Sequence, residues 1–140
     1  MKFKSKFLFV LPVIITVSFL SSSFKKQTFD LKASMARGKE LYISYCLSCH
    51  MDEGQGVEGT YPPLAKADYL MADKKRSIQQ ILYGAEGEMK VNGKTYNLPM
   101  PAVDLKDEEV SDVLNYIRNS FGNKGDAITP QEVKGARKTN

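Results

Sequence analysis

The chain contains only two cysteines, Cys46 and Cys49, and a single histidine, His50. A structural zinc site wants four ligands, mostly Cys and His, so zinc here would have to draft a carboxylate into an incomplete set. Long hydrophobic runs are equally scarce. The one that stands out, Phe7 to Leu20, is 14 residues long and contains Pro12, Thr16 and Ser18, short of the roughly 18–20 apolar residues that span a bilayer. Lys2, Lys4 and Lys6 precede the run and Ser21, Ser22 and Ser23 follow it. A basic start, a short apolar stretch and small residues predict a secretory leader over 1–23, with an uncleaved membrane anchor as the alternative. No cysteine follows the run, which argues against a lipoprotein. Excess charge is also lacking. The formal +4 includes the three leader lysines, and without them 17 basic residues face 16 acidic ones. So near-neutral a mature chain gives no argument for a nucleic-acid partner.

What the chain does have is concentrated in Cys46-Leu47-Ser48-Cys49-His50. On a helical turn, residues three and four apart share a face, so both thiols and the imidazole point the same way. That spacing is the attachment signature of c-type haem, in which each thiol adds to a porphyrin vinyl group and the imidazole reaches iron. Two porphyrin propionates would bring the mature net charge to about −1. A thioredoxin-like Cys-x-x-Cys needs a βαβ setting, whereas the flanks here look helical on one side and Gly-rich on the other. A plain disulfide would close a very short loop and constrain little. Haem attachment happens outside the cytoplasm, so the leader and the motif support one another.

Around the motif the pattern is mostly helical. Residues 24–33 read as an N-terminal arm, and Ser34 to Tyr45 as a first helix with Ser34 as N-cap. Gly54, Gly56 and Gly59 make a flexible loop ending at the stiff Tyr61-Pro62-Pro63-Leu64. A helix is expected from Asp73 to Gly84, with Asp73 capping it and Gly84 stopping it. Asn92-Gly93 predicts a β-hairpin within Met89 to Tyr96. Pro99-Met100-Pro101 cannot lie inside a helix. Asp107 to Phe121 has Val110, Val113, Leu114, Ile117 and Phe121 on one face. Its capping box is incomplete because Lys106 stands where Ser or Thr is expected. The polar stretch 124–140 reads as a surface appendage with one short helix at Thr129-Pro130-Gln131-Glu132.

These residues resemble a class I c-type cytochrome over 34–123. The resemblance rests on Gly38, Cys46-x-x-Cys49-His50, Pro62-x-Leu64, Met100 and Asp112-Val113-Leu114-Asn115-Tyr116-Ile117. More narrowly it is to small bacterial cytochromes associated with nitrite reductases, oxidases or dehydrogenases. It implies an all-α small cytochrome c fold, three to four helices around one covalent haem, with a short hairpin before the methionine loop. Gly38 would lie against Tyr116 where the first and last helices cross. Pro62 would offer its carbonyl to His50, Leu64 would pack on the haem, and Met100 would be the distal ligand.

Position along the chain favours the same methionine. Met51 adjoins His50, Met35 lies over two turns before Cys46, and Met71 and Met89 fall in or beside regular elements where methionine packs cores. Met100 has a rigid loop and enough chain after His50 to reach the other haem face. The alternatives are Met89 or an open position. The resulting expectation is a monomeric, non-enzymatic monohaem carrier, periplasmic or otherwise exported, passing single electrons between redox proteins. The alternatives are a haem-based sensor or a dedicated subunit of a dehydrogenase, oxidase or nitrite reductase complex. Lys66, Lys74, Lys75 and Arg76, or Lys90 and Lys94, are either a docking face for an acidic partner or a solvated charged surface.

Overall fold

The computed structural model describes residues 29–137. The expected leader 1–23 lies outside the described residues, as does most of the arm. Among the described residues no helix is long and apolar enough to cross a membrane.

The first helix, α1, runs Leu31–Tyr45 and starts three residues before the sequence expectation. Asp30 is the cap, its carboxylate accepting from Ala33 N at 3.0 Å. Ser34 is instead drawn inside and fully buried. Its hydroxyl donates to Asp112 Oδ1 at 2.6 Å, across to α5 (Asp107–Arg118). The two helices make the most extensive inter-element contact of the fold, and Gly38 permits it. A Cβ there would lie 1.9 Å from Asp112 O and 2.9 Å from Tyr116 Cβ. The contact implied with Tyr116 is therefore present, but the Asp112 backbone is nearer still.

Polar bonds lock this crossing. Asp112 also accepts from Arg37 Nε at 2.6 Å and Arg37 Nη2 at 2.7 Å. Asn115 Nδ2 donates to Ser34 Oγ at 2.9 Å. Below them pack Val110, Val113, Leu114 and Ile117, all nearly inaccessible, on the face the 3–4 spacing marks out. At the start of α5 the Glu109 carboxylate accepts from Lys106 N at 2.8 Å. A lysine side chain has no acceptor to complete the box. The helix ends at Arg118, earlier than Phe121. Phe121 turns into the left-handed region at φ 57° and packs its ring against Tyr42 and Tyr116, with centroids 5.2 and 5.5 Å away.

Between these helices lie α2 (Leu47–His50), α3 (Asp68–Ala72), α4 (Lys74–Tyr83), and the antiparallel pair β1 (Met89–Val91) and β2 (Lys94–Tyr96). The α4 limits and its Asp73 cap match expectation, with Asp73 Oδ1 accepting from Arg76 N at 3.0 Å. The hairpin register pairs Met89 with Tyr96 and Val91 with Lys94. Asn92 and Gly93 take φ of 51° and 79° at its turn, the primed geometry that matches strand twist. The turn is fastened to α3 by a reciprocal bond: Asn92 N donates to Asp68 Oδ1 at 2.7 Å, and Asp68 N to Asn92 Oδ1 at 3.1 Å.

The C-terminal stretch is no appendage. A last helix, α6 (Pro130–Ala136), begins with a complete capping box between Thr129 and Glu132. Ile128 and Val133 are fully buried and Ala136 nearly so. Asn115 grips the Ile128 backbone from both sides, donating to its carbonyl at 2.8 Å and accepting from its N–H at 2.7 Å. Ser111 Oγ adds a bond to the same carbonyl at 2.7 Å.

Candidate functional site

Cys46 ends α1 and begins α2, so the motif is helical, as the shared-face argument requires. Cys49 N and His50 N both donate to Cys46 O, at 3.2 and 2.9 Å. The two cysteines are free thiols. Burial, and then the neighbouring Cys49 charge, pushes the Cys46 thiol up to about 11, so it stays protonated at neutral pH.

His50 Nδ1 lies 3.0 Å from Pro62 O. Pro62 has no N–H, and its carbonyl is aimed at the ring by a tight loop. Burial pushes the imidazole below its ordinary value, and the Pro62 bond partly opposes that. A neutral ring donating from Nδ1 keeps its lone pair on Nε2, the tautomer a metal needs. The loop expected to be flexible is closely bonded. Gly54 O accepts from Leu64 N and Ala65 N at 2.7 and 2.8 Å, and Gly56 N donates to His50 O at 3.0 Å. Gly56 must be glycine: its φ is 64° and a Cβ would sit 2.3 Å from Tyr61 O.

Met100 reaches the same region from the other side of the chain. It forms an antiparallel bridge with Ala85, N to O at 2.9 Å in both directions. Gly84 makes that approach feasible, since a Cβ there would lie 2.5 Å from Met100 O. Farther along, Val103 N donates to Ile81 O at 2.9 Å, so the loop is tied once to α4 and once to Ala85, just past its end.

Cys46, Cys49, His50, Pro62, Leu64 and Met100 all line one open cleft. Sequence reasoning named these six and missed other wall residues: Tyr69 on α3, and Ser77, Gln80 and Ile81 on α4. No periodicity marks α3, which is five residues long. The cleft fits a haem on its own chemistry. Its walls are mainly apolar, its thiols are spaced for two thioethers, and its imidazole is held by Nδ1. Among the described residues no group of three or more His, Cys, Asp and Glu is placed to hold a metal ion. The hairpin is the one named sheet among them, so the βαβ context of a thioredoxin site is missing too.

Three of the basic residues, Lys74, Lys94 and Arg76, have partners of their own. Lys74 Nζ donates to Ala127 O at 2.6 Å and pairs with Glu132 at 3.3 Å. Lys94 pairs with Glu58 at 2.5 Å on the surface, a pair of small energetic weight. Arg76 is stacked on Tyr69.

Comparison with known proteins agrees with the cleft. The Cytochrome c family model matches residues 35–121. Cytochrome c-552 of Thermus thermophilus is 38% identical over 117 residues, covering 76% of this chain and 78% of the relative. The cytochrome c subunit of a quinone alcohol dehydrogenase from Gluconobacter oxydans is 29% identical over 73% of this chain and 22% of its own length. The FixP subunit of a cbb3-type cytochrome c oxidase from a Bradyrhizobium species is 32% identical over 66% of this chain and 32% of its own length. The chain thus belongs to the cytochrome c family, electron-transfer proteins with covalently bound haem c rather than enzymes.

Proposed function

We propose that this chain carries single electrons through one haem held in the cleft by thioethers from Cys46 and Cys49. In this reading His50 and Met100 would hold the iron, Pro62 would orient His50, and Leu64 would pack on the porphyrin. The observation that carries it is the meeting of His50, held through Nδ1, and Met100, bridged to Ala85, in one cleft. The haem supplies a one-electron couple between ferrous and ferric iron. His50 and Met100 together leave no position for a substrate, which argues for outer-sphere transfer. Met100's soft thioether favours the reduced state, and the Ala85 bridge holds its backbone in one geometry, which keeps reorganisation small. The apolar walls act in the same direction by disfavouring the extra charge of the oxidised site.

The carrier works outside the cytoplasm, exported by the leader 1–23, as a monomer facing redox protein donors and acceptors. Dedicated service to one dehydrogenase or oxidase is the second reading, supported by relatives whose names are those of complex subunits. Carbon monoxide added to the reduced protein tests the ligand set. A six-coordinate carrier leaves the spectrum essentially unchanged, whereas rapid stoichiometric binding means an open position and a ligand-sensing role.

A further inference from the structure

Two guanidinium groups sit one layer behind the cleft with no carboxylate to pair them. Arg118, at the end of α5, is 4% exposed, and its Nη1 donates to Leu70 O at 2.8 Å. Arg76, on α4, donates through Nη2 to Tyr69 O. Its guanidinium carbon stands 3.7 Å from the centre of the Tyr69 ring. The Nε of each is buried and has no hydrogen-bond partner. Neither arginine is in an ion pair among the described residues; those pairs use Arg37, Lys74, Lys94 and Arg137.

Their location is what matters. Tyr69 and Leu70, whose carbonyls they hold, both line the cleft, as do Ser77 and Ile117, the chain neighbours of the two arginines. Both cations are therefore fastened to the α3 wall. A buried cation without a countercharge is strongly unfavourable, and bonds to carbonyls offset only part of that. Burial pushes the Arg118 guanidinium down, and the charges of Asp126 and Glu132 oppose it. A haem bound in the cleft would bring two propionate carboxylates of its own.

We propose that Arg76 and Arg118 are the electrostatic counterweight to that haem, offsetting its propionates and holding its reduction potential up. Oxidation adds a positive charge to the haem, and fixed cations across a low-dielectric wall resist it. The burial of Arg118 also shelters its effect from salt. A purely mechanical clamp on α3 would depend instead on the fork of the guanidinium, which lysine lacks. This inference rests on the family's haem occupying the cleft and not on Met100 as its ligand.

The test is a spectroscopic redox titration of the full-length haem protein and four variants. Arg118→Gln and Arg76→Gln should both lower the potential. For Arg118→Gln the shift should be about tenfold toward the ferric form, or about 59 mV for one electron. Arg118→Lys and Arg76→Lys should retain most of the parent value. Glutamine and lysine variants that fall together, or glutamine variants that match the parent, would overturn the proposal. Should Arg118→Gln fail to accumulate as folded haem protein, the part-exposed Arg76 decides, and an unchanged potential in Arg76→Gln refutes it. The ferric far-red band of the parent reports Met100 separately, so failure of the ligand assignment and failure of this inference are read from different signals.

Discussion

The two sides of this molecule are closed in different ways. Where α1 crosses α5, the protein completes itself: Gly38 lets the backbones touch, and Ser34, Arg37, Asp112 and Asn115 satisfy one another. On the other side, α3, α4 and the Met100 loop surround an open cleft, and Arg76 Nε and Arg118 Nε behind it find no partner. Native proteins leave few buried polar atoms unmatched. Asn123 Oδ1 is the third buried side-chain atom without a partner among the described residues. One helix pair gives the chain a self-sufficient frame, and the remaining elements are arranged around what the frame presents.

This contrast can be broken at either half. The largest effect belongs to the cleft: replacing Cys46 and Cys49 together by Ala should abolish covalent haem. Acidified organic solvent would then extract any remaining pigment, which stays with the parent polypeptide. On the frame side, Gly38→Ala forces a methyl group into the Asp112 carbonyl, and overpacking of this kind costs about 3 kcal/mol or more. Denaturant unfolding of the haem protein, followed by far-UV dichroism, measures it. Asp112→Ala removes the acceptor shared by Ser34 and Arg37. Losing a buried hydrogen bond to a charged group costs about 2 kcal/mol, and the exposure of Arg37 keeps its own share small. Asn115→Ala should cost about 1–2 kcal/mol and speed hydrogen exchange at the Ile128 amide before exchange rises elsewhere.

The smallest expected effect is a pH dependence at the edge of the frame. Burial pushes the Glu132 carboxyl up, but the Thr129 N–H and hydroxyl and Lys74 outweigh it and leave it below its ordinary value of 4.5. A carboxyl whose folded value is depressed adds stability above its unfolded value. That stability is lost as pH falls through the folded one. Acid below about pH 4.5 should therefore loosen α6, and Glu132→Gln should flatten that part of the stability profile.

Much of the site was legible because its chemistry is local. Five consecutive residues, Cys46 to His50, carry the attachment motif, and Pro62, Leu64 and Met100 sit in short stiff segments. Long amphipathic helices and the Asn92-Gly93 turn were equally readable. What escaped depended on partners far along the chain. Ser34 looks like a cap until Asp112, 78 residues away, claims its hydroxyl. The stretch after Asn123 looks polar because Ile128 and Val133 are isolated in it, and only Ser111 and Asn115 explain their burial. Phe121 continues the apolar stripe of α5 in sequence, yet the aromatic pocket of Tyr42 and Tyr116 turns it out of the helix. Gly84 reads as a helix stop, and its closer constraint, the Met100 carbonyl, is invisible before folding.

The central proposal is that Met100, bridged to Ala85 beside the cleft, would supply the sulfur ligand that holds the haem iron together with His50. Far-red absorbance of the ferric protein tests it most directly. The parent should show the weak methionine-to-iron band and Met100→Ala should lose it while keeping covalent haem. A parent without the band, or a Met100→Ala spectrum identical to the parent's, would contradict the account.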